Sequence, residues 1–149
     1  MEILAGLHEK IIHFPIALLI TYPVIELIAF FSKKDFFSKA SLLFLFIGVL
    51  GALAAVLSGN QSFTLNPDLS EKSMIIFRNH EFYANITMWL FSAILIFRYY
   101  LTTKKKLTSK IHLIILLIAL SGIYFIYQTG YYGGELAKQK LIDLTRISS

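Results

Sequence analysis

The most informative stretch of the chain is His8-Glu9-Lys10-Ile11-Ile12-His13-Phe14-Pro15-Ile16-Ala17-Leu18. It places two histidines and a glutamate at the start of an apolar segment that continues to Phe31. At about 1.5 Å of rise per residue, residues 11–31 are long enough to cross a hydrocarbon core of roughly 30 Å as a helix. Ionisable side chains are costly in that setting, so those at the start of the segment are candidates for function.

The composition agrees with a membrane protein. The chain has 149 residues, 56% of them hydrophobic, and its mean hydropathy is +0.67. These values predict a polytopic membrane protein with a single transmembrane domain over residues 1–149. The chain contains no cysteine, which excludes disulfides, thiolate metal sites and covalently attached c-type haem. Any haem would therefore be non-covalent and held by histidine.

Four apolar segments predict an all-α protein with transmembrane helices at about residues 11–31, 40–57, 82–101 and 111–127. The connections after the first and third segments are short and rich in lysine, which places them in the cytoplasm by the positive-inside rule. The prediction is an antiparallel four-helix bundle in a bacterial inner membrane, with both termini outside. Because the net charge of +5 is concentrated in these turns, it does not indicate nucleic-acid binding.

Two glycine pairs and one long connection give further expectations. Gly48 and Gly51 predict close packing of the second helix against a partner. Gly133-Gly134 predicts the end of the fourth helix, and also a place where backbone approaches a ligand closely. The connection over residues 58–79 is long enough to form a loop over the outer rim.

Polar residues from all four segments gather at the predicted outer end. His13 and His80 lie there at matching depth on the first and third helices, and two opposed imidazoles can axially ligate a b-type haem iron. A metal ion is the alternative occupant, with ligands from His13, His80, Glu9 and Glu81. His8 is a further candidate for cofactor binding, although it lies about 140° around the helix from His13. Purely structural histidines remain open as well.

Two ionisable residues fall near the predicted cytoplasmic end. Glu26 is expected to snorkel toward the headgroups or to pair with a cation. His112 follows a lysine-rich run and is expected at the membrane interface. A role in proton transfer is the alternative for Glu26.

The opening His8-x-x-x-x-His13-Phe14-Pro15-Ile16-Ala17-Leu18 resembles the H-P-x-x-V-H-F-P-I-A-L signature of a family of small bacterial membrane proteins, domain of unknown function 2231. The resemblance extends to His80 and to Gly133-Gly134-Glu135-Leu136, so it covers essentially the whole chain. It implies four helices and, from the family's paired histidines and association with cytochromes, a haem or redox role. Two positions depart from the family pattern. Glu9 stands where the family has proline, and Lys140 stands at about the position of a later family histidine, which this chain lacks. The resemblance therefore implies at most one bis-histidine site, formed by His13 and His80.

These observations lead to three functional hypotheses. The first is a haem b subunit that passes electrons near the outer face, with a quinol or a periplasmic cytochrome as partner. The second is a non-catalytic scaffold subunit of a larger membrane complex, and the third is a metal-binding membrane protein. The sequence contains no complete catalytic motif, so a stand-alone enzyme is not predicted.

The orientation can be tested by cysteine labelling, because the chain has no cysteine of its own. A cysteine at position 70 is expected to react with an impermeant thiol reagent in intact cells, and one at position 105 is not. The reverse pattern would place the histidine-rich end in the cytoplasm.

Overall fold

The computed structural model describes residues 11–64 and 70–147, and these form four long helices without a strand. The helices are α1 (His13–Ser32), α2 (Asp35–Thr64), α3 (Glu71–Thr103) and α4 (Ser109–Ile147). Each is long and apolar enough to cross a membrane. The predicted all-α architecture with four transmembrane helices is therefore confirmed.

The helices extend well beyond the apolar segments that predicted them. Residues 58–64 continue α2 and residues 71–79 belong to α3, so the expected loop over residues 58–79 is wrong. The expected end of the fourth helix at Gly133-Gly134 is also wrong, because α4 continues to Ile147. Hydropathy reports which residues suit lipid, whereas a helix continues wherever its backbone hydrogen bonds are maintained.

The turn between α1 and α2 contains two residues. Lys33 has a left-handed backbone with φ of 52°, and its N–H donates to the carbonyl of Ala29 at 3.0 Å. A left-handed residue closes the end of a helix by this kind of bond. Lys105, in the turn between α3 and α4, has the same φ of 52°. We call the end of the bundle that carries these two turns the lysine end, and the opposite end the histidine end.

Close contacts show that α1 and α2 run antiparallel. A Cβ added to Gly51 would lie 3.0 Å from Pro15, and one added to Gly48 would lie 2.7 Å from Leu19. Nearer the lysine end, Ser41 of α2 bonds to Glu26 of α1. The predicted close approach through Gly48 and Gly51 is confirmed, and Pro15 of the signature sequence is one of the residues that the approach brings into contact.

The other helices complete a bundle around one apolar core. α3 packs against α2 and α4, and α4 packs against α1. Across the centre, the rings of Tyr22 in α1 and Phe91 in α3 meet edge to face, 6.4 Å apart. The buried core cluster consists of Leu19, Tyr22, Leu45, Val49, Phe91, Ile94, Leu101, Ile115, Ala119 and Ile126.

The α3–α4 contact depends on Gly122, and this can be tested. An added Cβ at Gly122 would lie 2.6 Å from Cζ of Phe91, whose side chain is fully buried. We expect Gly122→Ala to lower the free energy of unfolding by about 1–3 kcal/mol, since a packed core cannot absorb the extra methyl. Denaturant unfolding in detergent would measure it.

Gly130→Ala is the matched control on the same helix, because an added Cβ there has no atom within 4 Å. It should be neutral or stabilise slightly, as alanine favours helix over glycine. Equal effects of the two substitutions would contradict the close α3–α4 packing.

Candidate functional site

The histidine end contains only part of the predicted site within the described residues. His13 is the first residue of α1, and its side chain is exposed. His8 and Glu9 lie outside the described residues. Glu81 is half-buried next to His80 on α3. In the described part of the chain, no group of three or more histidine or acidic residues could hold a metal ion.

His80 is held in a defined orientation between α3 and α4. Its Nδ1 lies 3.0 Å from the backbone carbonyl oxygen of Thr129. A carbonyl oxygen only accepts hydrogen bonds, so Nδ1 carries the proton and Nε2 of the neutral ring keeps its lone pair. An added Cβ on Gly133 would lie 3.3 Å from Nδ1 and Cε1 of His80. Gly133 therefore makes room for the imidazole inside a continuous helix.

Aromatic and hydroxyl side chains surround His80 on the α3–α4 contact. The rings of Tyr83 and Tyr132 stack 5.6 Å apart, with 8° between their planes. The hydroxyls of Thr87 and Thr129 are 3.5 Å apart. His80 is thus tied to α4, while His13 lies on α1. No hydrogen bond or ring contact between the two histidines is found in the described residues, and their shared site remains a prediction.

The second polar site lies in the half of the bundle near the lysine end and centres on Glu26. The side chain of Glu26 is fully buried, as is that of Arg98 in α3. Nε of Arg98 donates to Oε1 of Glu26 at 2.7 Å. The hydroxyl of Ser41 in α2 donates to the other carboxylate oxygen, Oε2. Glu26 is therefore paired with a cation, which confirms one of the expectations from the sequence. The expectation that its side chain snorkels toward the headgroups is wrong.

Arg98 uses its whole guanidinium group in this site. Its Nη1 donates to the hydroxyl of Thr102, and its Nη2 donates to the hydroxyl of Ser38 at 2.9 Å. A buried charge is costly unless it is paired and hydrogen-bonded. Glu26 of α1, Ser38 of α2 and Thr102 of α3 supply the acceptors for Arg98.

His112 brings α4 into the same cluster. Its Nε2 lies 2.8 Å from Oε1 of Glu26, and its side chain is only 11% exposed. Nε2 makes no hydrogen bond of good geometry among the described residues, so this is a close polar contact. His112 thus turns toward the carboxylate of Glu26, and its expected position at the membrane interface stays a prediction. We call the set of Glu26, Ser41, Arg98 and His112 the Glu26 cluster, and it draws one side chain from every helix.

Tyr22 lies one helical turn from Glu26 and is completely buried. Its hydroxyl has no hydrogen-bond partner among the described residues. Beyond it, Leu19 and Phe91 are 2% and 0% exposed, so an apolar layer separates the Glu26 cluster from the histidine end.

Arg98 was missed by the sequence analysis, which read residues 82–101 as an apolar span. The signal was present, because an arginine inside a membrane span is rare and usually has a partner in the bundle. Its partner could not be named from the sequence, since Glu26 is 72 residues away. The tertiary structure makes the assignment.

A family model described as a predicted membrane protein (DUF2231) matches residues 5–146. The chain belongs to this family. The match covers all four helices and both polar sites. No curated protein and no solved structure matches the chain. Membership of DUF2231 thus supports an integral membrane protein and indicates no specific activity. The proposed function therefore rests on the arrangement of side chains.

The ion pair in the Glu26 cluster gives a stability prediction. Arg98→Leu leaves Glu26 without its cation and is expected to lower the free energy of unfolding by about 3–5 kcal/mol. The double substitution Glu26→Leu with Arg98→Leu should recover much of this loss, because it removes both buried charges. Unfolding of the purified variants in detergent would measure both effects.

Arg78→Leu is the control, because Arg78 lies on the same helix with an exposed side chain. Its effect is expected within about 0.5 kcal/mol. If the double variant is as unstable as Arg98→Leu, unpaired charge is not the cause of the loss.

Proposed function

We propose that this DUF2231 protein is a membrane subunit that binds a b-type haem through His80 and passes electrons at the histidine end. His13 is the candidate for the second axial ligand. The observation that carries the proposal is the hydrogen bond from Nδ1 of His80 to the carbonyl of Thr129.

This hydrogen bond prepares His80 as a ligand. Histidines that bind metals usually donate their other ring N–H to a carbonyl or carboxylate, which fixes the tautomer and the direction of the ring. His80 has this arrangement, and its Nε2 makes no hydrogen bond to a described residue. The orienting group is a backbone atom on α4, so the ring direction depends on the α3–α4 packing.

An apolar groove close to His13 also supports the proposal. It lies between α1 and α4, has a volume of about 400 Å³, and starts one turn from His13 at Ile16. Gly130 forms part of its wall, and the space beside Gly130 is open. A groove lined by isoleucine and tyrosine suits a flat apolar ligand such as a porphyrin or a quinol ring. The oriented imidazole of His80 and the apolar groove near His13 are the two observations that support haem as the ligand.

When bound, haem would supply one-electron redox chemistry. The chain itself would hold the iron, through His80 and His13, and exclude water with the apolar groove. The described helices include no separate soluble domain. Electron donors and acceptors must then dock from outside, as a quinol in the membrane or as a periplasmic or membrane subunit such as a cytochrome. This proposal includes the orientation with the histidine end outside a bacterial inner membrane.

An absorption spectrum of the protein reconstituted with haem tests the proposal. Bis-histidine ligation predicts a low-spin Soret and α-band pattern that responds to dithionite. His80→Ala should remove most haem binding, and His13→Ala should convert the iron to a high-spin form with one histidine. His8→Ala is the matched control and should leave the spectrum unchanged.

These three variants, together with Glu81→Gln, also distinguish other ligand sets. A change to high spin in His8→Ala with none in His13→Ala would replace His13 by His8 as the second ligand. Binding of a divalent metal without haem, lost in His80→Ala and Glu81→Gln, would favour the metal site of His13, His80, Glu9 and Glu81. No binding of either would end the cofactor proposal.

The alternative is a scaffold subunit, and one surface favours it. One side of α3 exposes a row of large apolar side chains, among which Trp89 is 68% and Ile96 is 69% exposed. Lipid can cover such a row, but so can a helix of a neighbouring subunit. If haem and metals do not bind, crosslinking from position 89 to another membrane protein would support the scaffold.

A further inference from the structure

A polar pocket of about 260 Å³ opens at the lysine end, below the Glu26 cluster. Five basic or hydroxyl residues contribute to its wall, namely Lys33, Lys34, Ser38, Ser109 and His112. Its apolar lining consists of Ala29, Phe30 and Leu107. Neither the haem proposal nor the scaffold alternative gives this pocket a role.

The charge of the pocket is positive. The carboxylate that lines it, Asp35, is paired with Lys39 at 2.6 Å. Behind the pocket, the charge of Glu26 is compensated by Arg98. No carboxylate of the described residues lies within ion-pair distance of Lys33 or Lys34. Both ammonium groups are therefore available to an anion.

Hydrogen-bond donors also face this space. The hydroxyl oxygen of Ser38 already accepts from Nη2 of buried Arg98 at 2.9 Å, so its own proton is left to donate elsewhere. The first N–H groups of α2, beginning at Asp35, have no acceptor inside the helix. The positive end of the α2 dipole thus adds to the two lysines, as is common where proteins bind phosphate.

We propose that this pocket binds the phosphate of an anionic phospholipid headgroup. The pocket lies where the membrane-spanning helices end, which is the depth of the headgroups. Phe31 and Phe36 flank it and are 74% and 73% exposed, as expected for aromatic anchors at the interface. In this proposal, the lysines and hydroxyls of the pocket bind the phosphate. The apolar lining contacts the glycerol end of the acyl chains. A basic pocket between helices is a recognised arrangement for acidic lipids.

The test compares two lysine pairs at the same end of the bundle. The full-length protein in detergent is titrated with phosphatidylglycerol and, separately, with phosphatidylcholine, and bound lipid is counted by native mass spectrometry. The variant is K33N/K34Q, and the matched control is K104Q/K105N in the turn between α3 and α4. Asparagine is chosen for positions 33 and 105 because both have φ of 52° and asparagine tolerates this backbone.

We expect K33N/K34Q to bind phosphatidylglycerol at least about tenfold more weakly, at roughly fivefold for each lysine removed. The control should change the affinity less than about twofold, because its lysines do not line the pocket. Binding of phosphatidylcholine should change in neither variant. Thermal unfolding of both variants shows that they are folded, and the single variant Lys34→Gln replaces the pair if K33N/K34Q is not.

Three results would overturn the proposal. Equal losses in the two double variants would mean general attraction of acidic lipid to a basic surface. Unchanged binding in K33N/K34Q would mean that the pocket is not the site. Displacement of phosphatidylglycerol by millimolar inorganic phosphate would identify free phosphate, and not the lipid headgroup, as the ligand. Because the pocket contains none of the histidines proposed to bind haem, none of these three results depends on the haem experiment.

Discussion

A carboxylate buried inside a membrane span is the constraint on which the lysine half of this bundle depends. Glu26 has no exposed surface, and its charge is stable there only with close partners. Arg98 supplies the opposite charge from α3, while Ser41 and His112 add polar contacts from α2 and α4. Moving any one helix outward would leave a charge or a polar group unpaired in a medium without water. The cluster therefore specifies how the four helices are arranged.

The two polar sites differ in how they are built. In the Glu26 cluster, the charges of Glu26 and Arg98 are paired with each other and with hydroxyl side chains. Among the described residues, His80 is hydrogen-bonded on one ring nitrogen only, to the carbonyl of Thr129. The packed layer that contains Leu19 and Phe91 lies between the two sites. An ionic site whose charges are already paired suits a structural role. A histidine with one ring nitrogen hydrogen-bonded and the other free suits the role of an iron ligand. The proposed function therefore rests on the histidine end.

The stretch His13-Phe14-Pro15-Ile16-Ala17-Leu18 in α1, which resembles the family's opening motif, contains residues that pack the bundle. Pro15 contacts Gly51 of α2, and Ile16 lines the groove between α1 and α4. Phe14 is 58% exposed and faces away from the core. Part of the signature is therefore required for the α1–α2 contact whatever the protein binds. These contacts support the fold more directly than they support a ligand, and His13 is the residue of the stretch that the proposed function uses.

The sequence by itself determined the class of the protein, the number of helices and the residues that bring α1 and α2 together. A continuous apolar segment indicates a helix in lipid, and glycine in such a helix indicates close approach of another backbone. Both features can be read from neighbouring residues in the sequence. Only the tertiary structure decided that the helices continue through Gly133-Gly134, that His112 contacts Glu26, and that Arg98 pairs with Glu26. Those outcomes depend on which side chains meet across the bundle. The pairing of Glu26 with Arg98 joins residues 72 positions apart, a contact that no local pattern in the chain records.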